Sequence, residues 1–350
     1  MIERLELAPG YSISRLVNGG WQLSAGHRPG SLDRQTVIAD LRRLVDVGLT
    51  TFDCADIYLG VEELLGELAR ELRQDSSTPE IQIHTKFVPD RSDLGSVDRQ
   101  GVARIIDRSL ERLGVERLDL VQFHWWDYRV RRYLEVAGWL VDLQLAGKIR
   151  LLGTTNFDTP RLQELVDSGF PVAAHQVQYS VLDRRPEAAM VDFCRENGIQ
   201  LLCYGAVAGG FLSVRYLSSP EPKEPLQNRS LTKYKLILDE FGSWELFQEL
   251  LQALAEIGRK HDVSPTTVAV RWLLERPQVA AVLMGTRNAD HLAPNLEVFR
   301  FDLDEEDREI LGEVLRMAGG PLGEPFSLER EPEGRHAVIM KTDLNRATID

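Results

Sequence analysis

Residues 18–27 read NGGWQLSAGH, and two parallel-sheet folds part company at this stretch. It follows a first apolar run at residues 15–18 and precedes a helical pattern over 33–47, where Val37, Leu41, Leu44 and Val45 share one face and Gly48 ends the turn. A doubly wound open sheet carries G-x-G-x-x-G at this first strand–helix junction. Gly19-Gly20 followed by Trp21 does not meet that pattern. The other architecture built from alternating strands and helices is a closed α/β barrel, the (β/α)8 TIM barrel.

Working outward, the alternation continues. Apolar runs at 50–52, 81–85, 118–123, 149–153, 172–177, 199–203 and 279–284 each lead to an amphipathic run. Those runs lie at 61–73, 98–113, 133–145, 160–167, 186–197, 264–274 and 289–298. With the first pair this makes eight βα units, which predicts a (β/α)8 barrel over residues 1–317. Residues 211–241 interrupt the seventh unit with Pro220, Pro222 and Pro225. A long loop there reads as a lid or a disordered insertion. Residues 318–350 form a C-terminal tail, whose apolar content predicts a segment packed on the barrel.

Composition narrows the function. The chain has 350 residues, of which 43% are hydrophobic and 27% charged, an ordinary globular balance. Its net charge of −13 disfavours nucleic acid as a partner, since such a surface repels phosphate backbones. The three cysteines, Cys54, Cys194 and Cys203, have no C-x-x-C spacing, so neither a disulfide framework nor a zinc site is expected and a reducing compartment fits. MIERLELAPG lacks a basic segment followed by an apolar core, and no apolar run approaches the ~20 residues of a membrane helix. The expectation is a cytoplasmic protein with a small-molecule partner and no membrane partner.

In such a barrel the chemistry gathers where strands end. The exits are Gly20-Trp21, Asp53 with Tyr58, Lys86, His124 with Trp125 and Trp126, Thr155-Asn156, Gln176, Tyr204-Gly205, and Gly285-Thr286-Arg287. Singly, each has a plain structural reading: Asp53 with Lys86 as an ion pair, His124 as a strand cap, the tryptophans as core. At successive exits of one rim, they read as a site. Asp53 would keep Lys86 charged, and a charged Lys86 would lower the Tyr58 phenol from its usual ~10. Tyr58 would then exchange a proton with an alkoxide, and His124 would hold the oxygen. No serine or cysteine is paired with a base among these exits, so the attacking species is water or a hydride from a cofactor. A metal-dependent barrel hydrolase would use Asp53, His84 and His124. It would also need H-x-H on the first strand, where this chain has Val17-Asn18-Gly19.

FDCADIYLGVEELLG, HTKF, LVQFHWW, GKIRLLGTTNF, HQVQYSVLDR, LLCYGAVAGGFLS and VLMGTRNADHLAPNLE, in this order, resemble the aldo-keto reductase superfamily over roughly residues 10 to 317. The resemblance implies a barrel that reduces an aldehyde or ketone to an alcohol, or the reverse, with NAD(P)H. It implies an Asp53, Tyr58, Lys86 and His124 tetrad with Tyr58 as general acid and no metal. Asn156 and Gln176 would hold the nicotinamide carboxamide with Thr155 beside them, and Tyr204 would stack on the ring. Asp53, Gly20, Trp21 and Gly285 would border the cofactor. Gly205, Ala206 and Leu212 would follow the pyrophosphate, with Arg215 near it. Thr286, Arg287, His291 and Asn295 would face the adenosine end. Trp21, Tyr58, His124 and Trp125 would line the substrate pocket. Ser-Asn is common in the family where this chain has Thr155-Asn156. A neutral His291 is a weak phosphate anchor, whereas Arg287 suits a 2′-phosphate, so NADP(H) is expected over NAD(H). The alternative the resemblance allows is a nucleotide-sensing regulatory subunit like the potassium-channel β subunits.

Overall fold

A computed structural model describes residues 2–25, 27, 32–75, 77–286 and 288–345. The chain opens with a hairpin, β1 (Arg4–Ala8) and β2 (Tyr11–Ser14). The barrel strands and their helices follow: β3 (Leu16–Gly19), α1 (Arg34–Asp46), β4 (Thr51–Asp53), α2 (Val61–Leu72), β5 (Gln82–Phe87), α3 (Arg99–Leu113), β6 (Leu118–Phe123) and α4 (Tyr133–Leu145). The second half continues with β7 (Ile149–Thr155), α5 (Thr159–Asp167), β8 (Val172–Gln178), α6 (Met190–Glu196), β9 (Gln200–Tyr204), α7 (Arg229–Phe241), α8 (Trp244–His261), α9 (Pro265–Leu274) and β10 (Val279–Gly285). Short α10 (Leu292–Leu296), α11 (Glu305–Met317) and one-turn α12 (Ser327–Arg330) complete the order.

β3 to β10 close into a parallel barrel in the order β10-β3-β4-β5-β6-β7-β8-β9, the predicted (β/α)8 fold. Local chemistry sets each unit. In α3, Asp98 caps the start by accepting from the Gly101 amide, and Gly114 ends it in the left-handed region. Between them Val102, Ile106, Ser109 and Leu113 recur at helical spacing and are buried. The main core lies between strands and helices. A second, small cluster fills the base of the barrel: Leu7, Tyr11 and Ile13 of the hairpin pack on Val17, Leu120, Ala174 and Leu202. The hairpin thus plugs the N-terminal end.

The structure adds to the sequence reading at one place, changes it at a second and details it at a third. The hairpin over Arg4–Ser14 went unread, because its alternation is short and half of it faces solvent. The insertion at 211–241 is not a plain loop. Its second half is α7, capped by Asn228, and α8 follows directly. Its three prolines all precede α7, where they interrupt no helical hydrogen bonds. The tail crosses the top of the barrel. Gly319 N donates to Phe241 O at 3.1 Å. Arg330 Nη2 donates to Trp125 O at 2.7 Å. Beyond it, Arg91 N donates to Thr342 O at 2.9 Å. Asn345 is buried: its Nδ2 donates to Val88 O at 2.6 Å and its amide to Asp90 Oδ1 at 2.8 Å.

Candidate active site

Strand register builds the site. Asp53 stands opposite Gly19 and His84, Lys86 opposite Gln122, and Thr155 opposite Gln176. Inward-facing polar side chains at these levels therefore meet in one ring. Lys86 Nζ donates to Asp53 Oδ2 at 2.5 Å and to Cys54 O at 2.8 Å. The other carboxylate oxygen of Asp53 accepts from Gln122 Nε2 at 2.9 Å and Gln176 Nε2 at 2.7 Å. Burial works against the Lys86 charge, but Asp53 and the Tyr58 phenol more than offset it, and the ammonium is held above its ordinary value.

The Lys86 ammonium lies 5.1 Å from the Tyr58 ring centroid. The expected lowering of the phenol does not follow. Burial outweighs Lys86, and Asp53 works against it, so Tyr58 is raised above its ordinary value. His124 Nδ1 is 3.1 Å from the Thr155 carbonyl, which can only accept, so Nδ1 carries the proton. Among the described residues Nε2 is buried without a hydrogen-bond partner. Burial first, then Arg330, keeps the ring neutral, with its pKa lowered to about 3. A neutral ring of this tautomer offers Nε2 as an acceptor.

One cavity of about 300 Å³ collects these groups. Trp21, Asp53, Tyr58, Lys86 and His124 line it, as do Thr155, Asn156, Gln176, Tyr204, Gly205, Ala206 and Gly285. Tyr204 Oη donates to Asn156 Oδ1 at 2.8 Å, which fixes the tyrosine ring in the wall. Tyr234 of α7 covers Gly205 and Gly209. A Cβ on Gly209 would come within 2.9 Å of its ring, so that approach needs glycine.

Other expected site residues lie elsewhere. Trp125 does not line the cavity. It is fully buried, and its Nε1 donates to Asp127 O at 3.1 Å and Val130 O at 2.9 Å. Past the strand end the next residue turns inward instead: Trp126 lines the cavity, its ring edge-on to His124 at 4.3 Å. Gly20 supports from behind, its amide donating to Asp53 O at 2.8 Å, while Gly19 forms the wall. Leu212 is core, Arg215 lies against Tyr216, and Thr286 bonds back to Met284 O. These three, with His291 and Asn295, are outside the cavity. Arg287 lies outside the described residues.

Sequence reading missed Gln122, Arg229, Lys233, Phe326 and Lys341. Gln122 carried a signal, a polar residue in the apolar strand LDLVQF. The others come from the insertion and the tail, whose placement depends on the finished barrel. Phe326 is buried edge-on to His124 at 5.7 Å. Lys233 Nζ lies 4.9 Å over Tyr204 and 5.7 Å over Phe326. Among the described residues no three or more His, Cys, Asp and Glu side chains gather to hold a metal ion, and no helix is long and apolar enough to cross a membrane.

Comparison with known proteins agrees with the architecture. The sequence profile described as the Aldo/keto reductase family matches residues 15–316. Flagellar radial spoke protein 5 of Chlamydomonas reinhardtii is 30% identical over 63% of this chain, but the match spans only 49% of that longer protein. The NADH-specific methylglyoxal reductase of Escherichia coli is 23% identical over 87% of this chain and 95% of its own length. Aldo-keto reductase yakc [NADP(+)] of Schizosaccharomyces pombe is 27% identical over 81% and 83%. The solved glycerol dehydrogenase AKR11B4 of Gluconobacter oxydans superposes with a TM-score of 0.74 at 24% identity, covering 92% of this chain and 97% of that one. With the profile spanning nearly the whole closed barrel and the strand-end residues in place, this chain belongs to the aldo/keto reductase family.

Proposed function

We propose that this oxidoreductase interconverts an aldehyde or ketone and its alcohol, with Tyr58 as the proton-transfer group. The observation that carries this is the placement of Lys86: hydrogen-bonded to Asp53 at 2.5 Å, it lies 5.1 Å from the Tyr58 ring in a cavity shared with His124. No protein nucleophile is required, because a nicotinamide cofactor, when bound, supplies or accepts the hydride. The residues present fit such a group. Tyr204 offers a fixed aromatic face, Asn156 and Gln176 offer amides, and Gly19, Gly205 and Gly285 leave backbone bare along the wall. NADP(H) remains our reading over NAD(H), and it rests on Arg287.

The chain's own groups divide the work. Tyr58, protonated well past neutrality, gives its proton to the oxygen that becomes the alcohol. Lys86 favours the phenolate left behind and so limits the cost of that transfer. Asp53, gripped by Gln122 and Gln176, fixes Lys86 in place. His124 Nε2 accepts from a hydroxyl, either the new alcohol or one beside the carbonyl. Trp21, Trp126 and Phe326 exclude water. The tail that follows the 1–317 barrel completes this pocket as a cover through its residues Phe326 to Leu344; of the 318–350 segment, 346–350 lie outside the described residues.

Turnover of reduced cofactor with a panel of aldehydes and ketones, run beside Tyr58→Phe, tests the proposal. Consumption by the native protein that the variant lacks supports it. Equal rates in the two would sink Tyr58 as the proton donor.

A further inference from the structure

The chain is acidic, with a net charge of −13, yet its cavity is cationic. The charged side chains lining it are Asp53, Lys86, Arg229, Lys233 and Lys341. Asp53 is matched by Lys86 at 2.5 Å, and Lys233 faces Glu329 at 3.8 Å. Arg229 and Lys341 form no ion pair among the described residues. Arg229 Nη2 donates to the Ile339 carbonyl, which joins the start of α7 to the tail without neutralising the guanidinium. Burial alone lowers Arg229, with no carboxylate opposing it.

These two cations sit together at the mouth. Both act on His27, whose pKa is lowered by burial first and then by Arg229 and Lys341. His27 packs on Trp21 with ring centroids 4.8 Å apart, and Trp21 packs on Tyr58 at 5.0 Å. A continuous aromatic wall therefore runs from the phenol to the cationic mouth. Lys341 is exposed and Arg229 half-buried, so both charges are open to an anion that enters the cavity.

We propose that Arg229 and Lys341 bind an anionic group, a carboxylate or a phosphate, at the far end of a carbonyl substrate whose reacting carbon lies at Tyr58. The substrate class is then an aldehyde or ketone with an acid group several atoms from the carbonyl. This rests on the carbonyl-oxidoreductase reading of the same cavity. Guanidinium and ammonium groups are the ordinary partners of both anions.

The test compares matched pairs: succinic semialdehyde with butanal, and glyceraldehyde 3-phosphate with glyceraldehyde. The native protein prefers the anionic member of at least one pair by kcat/KM, and which pair tells carboxylate from phosphate. Lys341→Glu reduces that preference by about tenfold or more, the size expected for a lost charge-assisted contact. Arg229→Gln acts in the same direction. A preference ratio unchanged in both variants overturns the proposal. So does a ratio that holds while the KM of the reduced cofactor rises, since the cations would then serve the cofactor phosphates. If no carbonyl turns over, the reductase reading fails, and the anion site is judged by thermal shift with glutarate or inorganic phosphate. A shift lost in Lys341→Glu supports the site, and equal shifts overturn it.

Discussion

At the scale of single residues, Tyr58 carries the clearest expectation. Tyr58→Phe keeps the ring against Trp21 and removes only the hydroxyl. Cofactor affinity should stay close to native while kcat falls by about two to four orders of magnitude, the usual worth of a positioned acid. Steady-state kinetics with a cofactor titration would separate the two effects. The raised phenol also fixes a pH signature. Reduction needs Tyr58 protonated and oxidation needs it ionised. Reduction should therefore run flat through neutrality and fall only above the ordinary phenol value of roughly 10, while oxidation keeps rising toward that region. A reduction rate that titrates away between pH 6 and 8 would contradict this assignment. The proposed tetrad was legible in the sequence because Asp53, Lys86 and His124 lie at strand ends and Tyr58 follows Asp53 in the same loop. The sign of the Tyr58 shift was not legible, since it depends on how deeply the tail and the tryptophans bury the ring. Trp125 and Trp126 show the same limit: only the folded loop tells which neighbour faces the cavity.

At the scale of elements, helix packing sets the spacing of the strands that hold the site. α2 and α3 cross with Gly66 against the end of α3. A Cβ there would come within 2.6 Å of Arg112 O and 2.7 Å of Leu113 O, both backbone atoms that cannot swing aside. Gly66→Ala should therefore lower stability by about 1–3 kcal/mol despite the better helix former. A denaturant midpoint equal to native would refute that packing. The barrel elements were readable because each strand and helix pair carries its own period and caps, as Asp98 and Gly114 do for α3. α7 was hidden by the proline-rich lead at 220–225 and by its attachment to the barrel's top. Its sequence is amphipathic, with Leu231, Ile237 and Leu238 buried, but it packs on the turn at Ala208–Gly210 and on α8, whose positions the sequence pattern does not give.

At the scale of the whole molecule, acid stability follows from three buried histidines. Burial lowers His84 to about 4, His124 to about 3 and His175 to about 3. An unfolded imidazole, near 6.5, takes up a proton before the folded one does. Stability therefore falls as pH drops from about 6.5 toward 4, at ~1.4 kcal/mol per pH unit for each such group. Asp56, raised by burial to about 7, acts in the opposite sense over this window and returns part of that loss. Urea midpoints measured from pH 7 to pH 4 should decline, and a midpoint that climbs toward acid would refute the balance. The fold at this scale was legible from eight alternations and the missing glycine motif at residues 18–27. That the tail packs on the barrel was expected from its apolar content, but its contacts were not legible, because it has no period of its own and takes its shape from Trp125, Val88 and Asp90 beneath it. The hairpin at the base has a consequence for traffic. With Leu7, Tyr11 and Ile13 filling the floor, the barrel among the described residues is a vessel closed at its base, with its doorway at the strand ends. Two guests that share one doorway queue: the one seated behind must enter first and leave last. For the proposed reaction, the order of arrivals and departures would then be decided at the end of the molecule farthest from the chemistry.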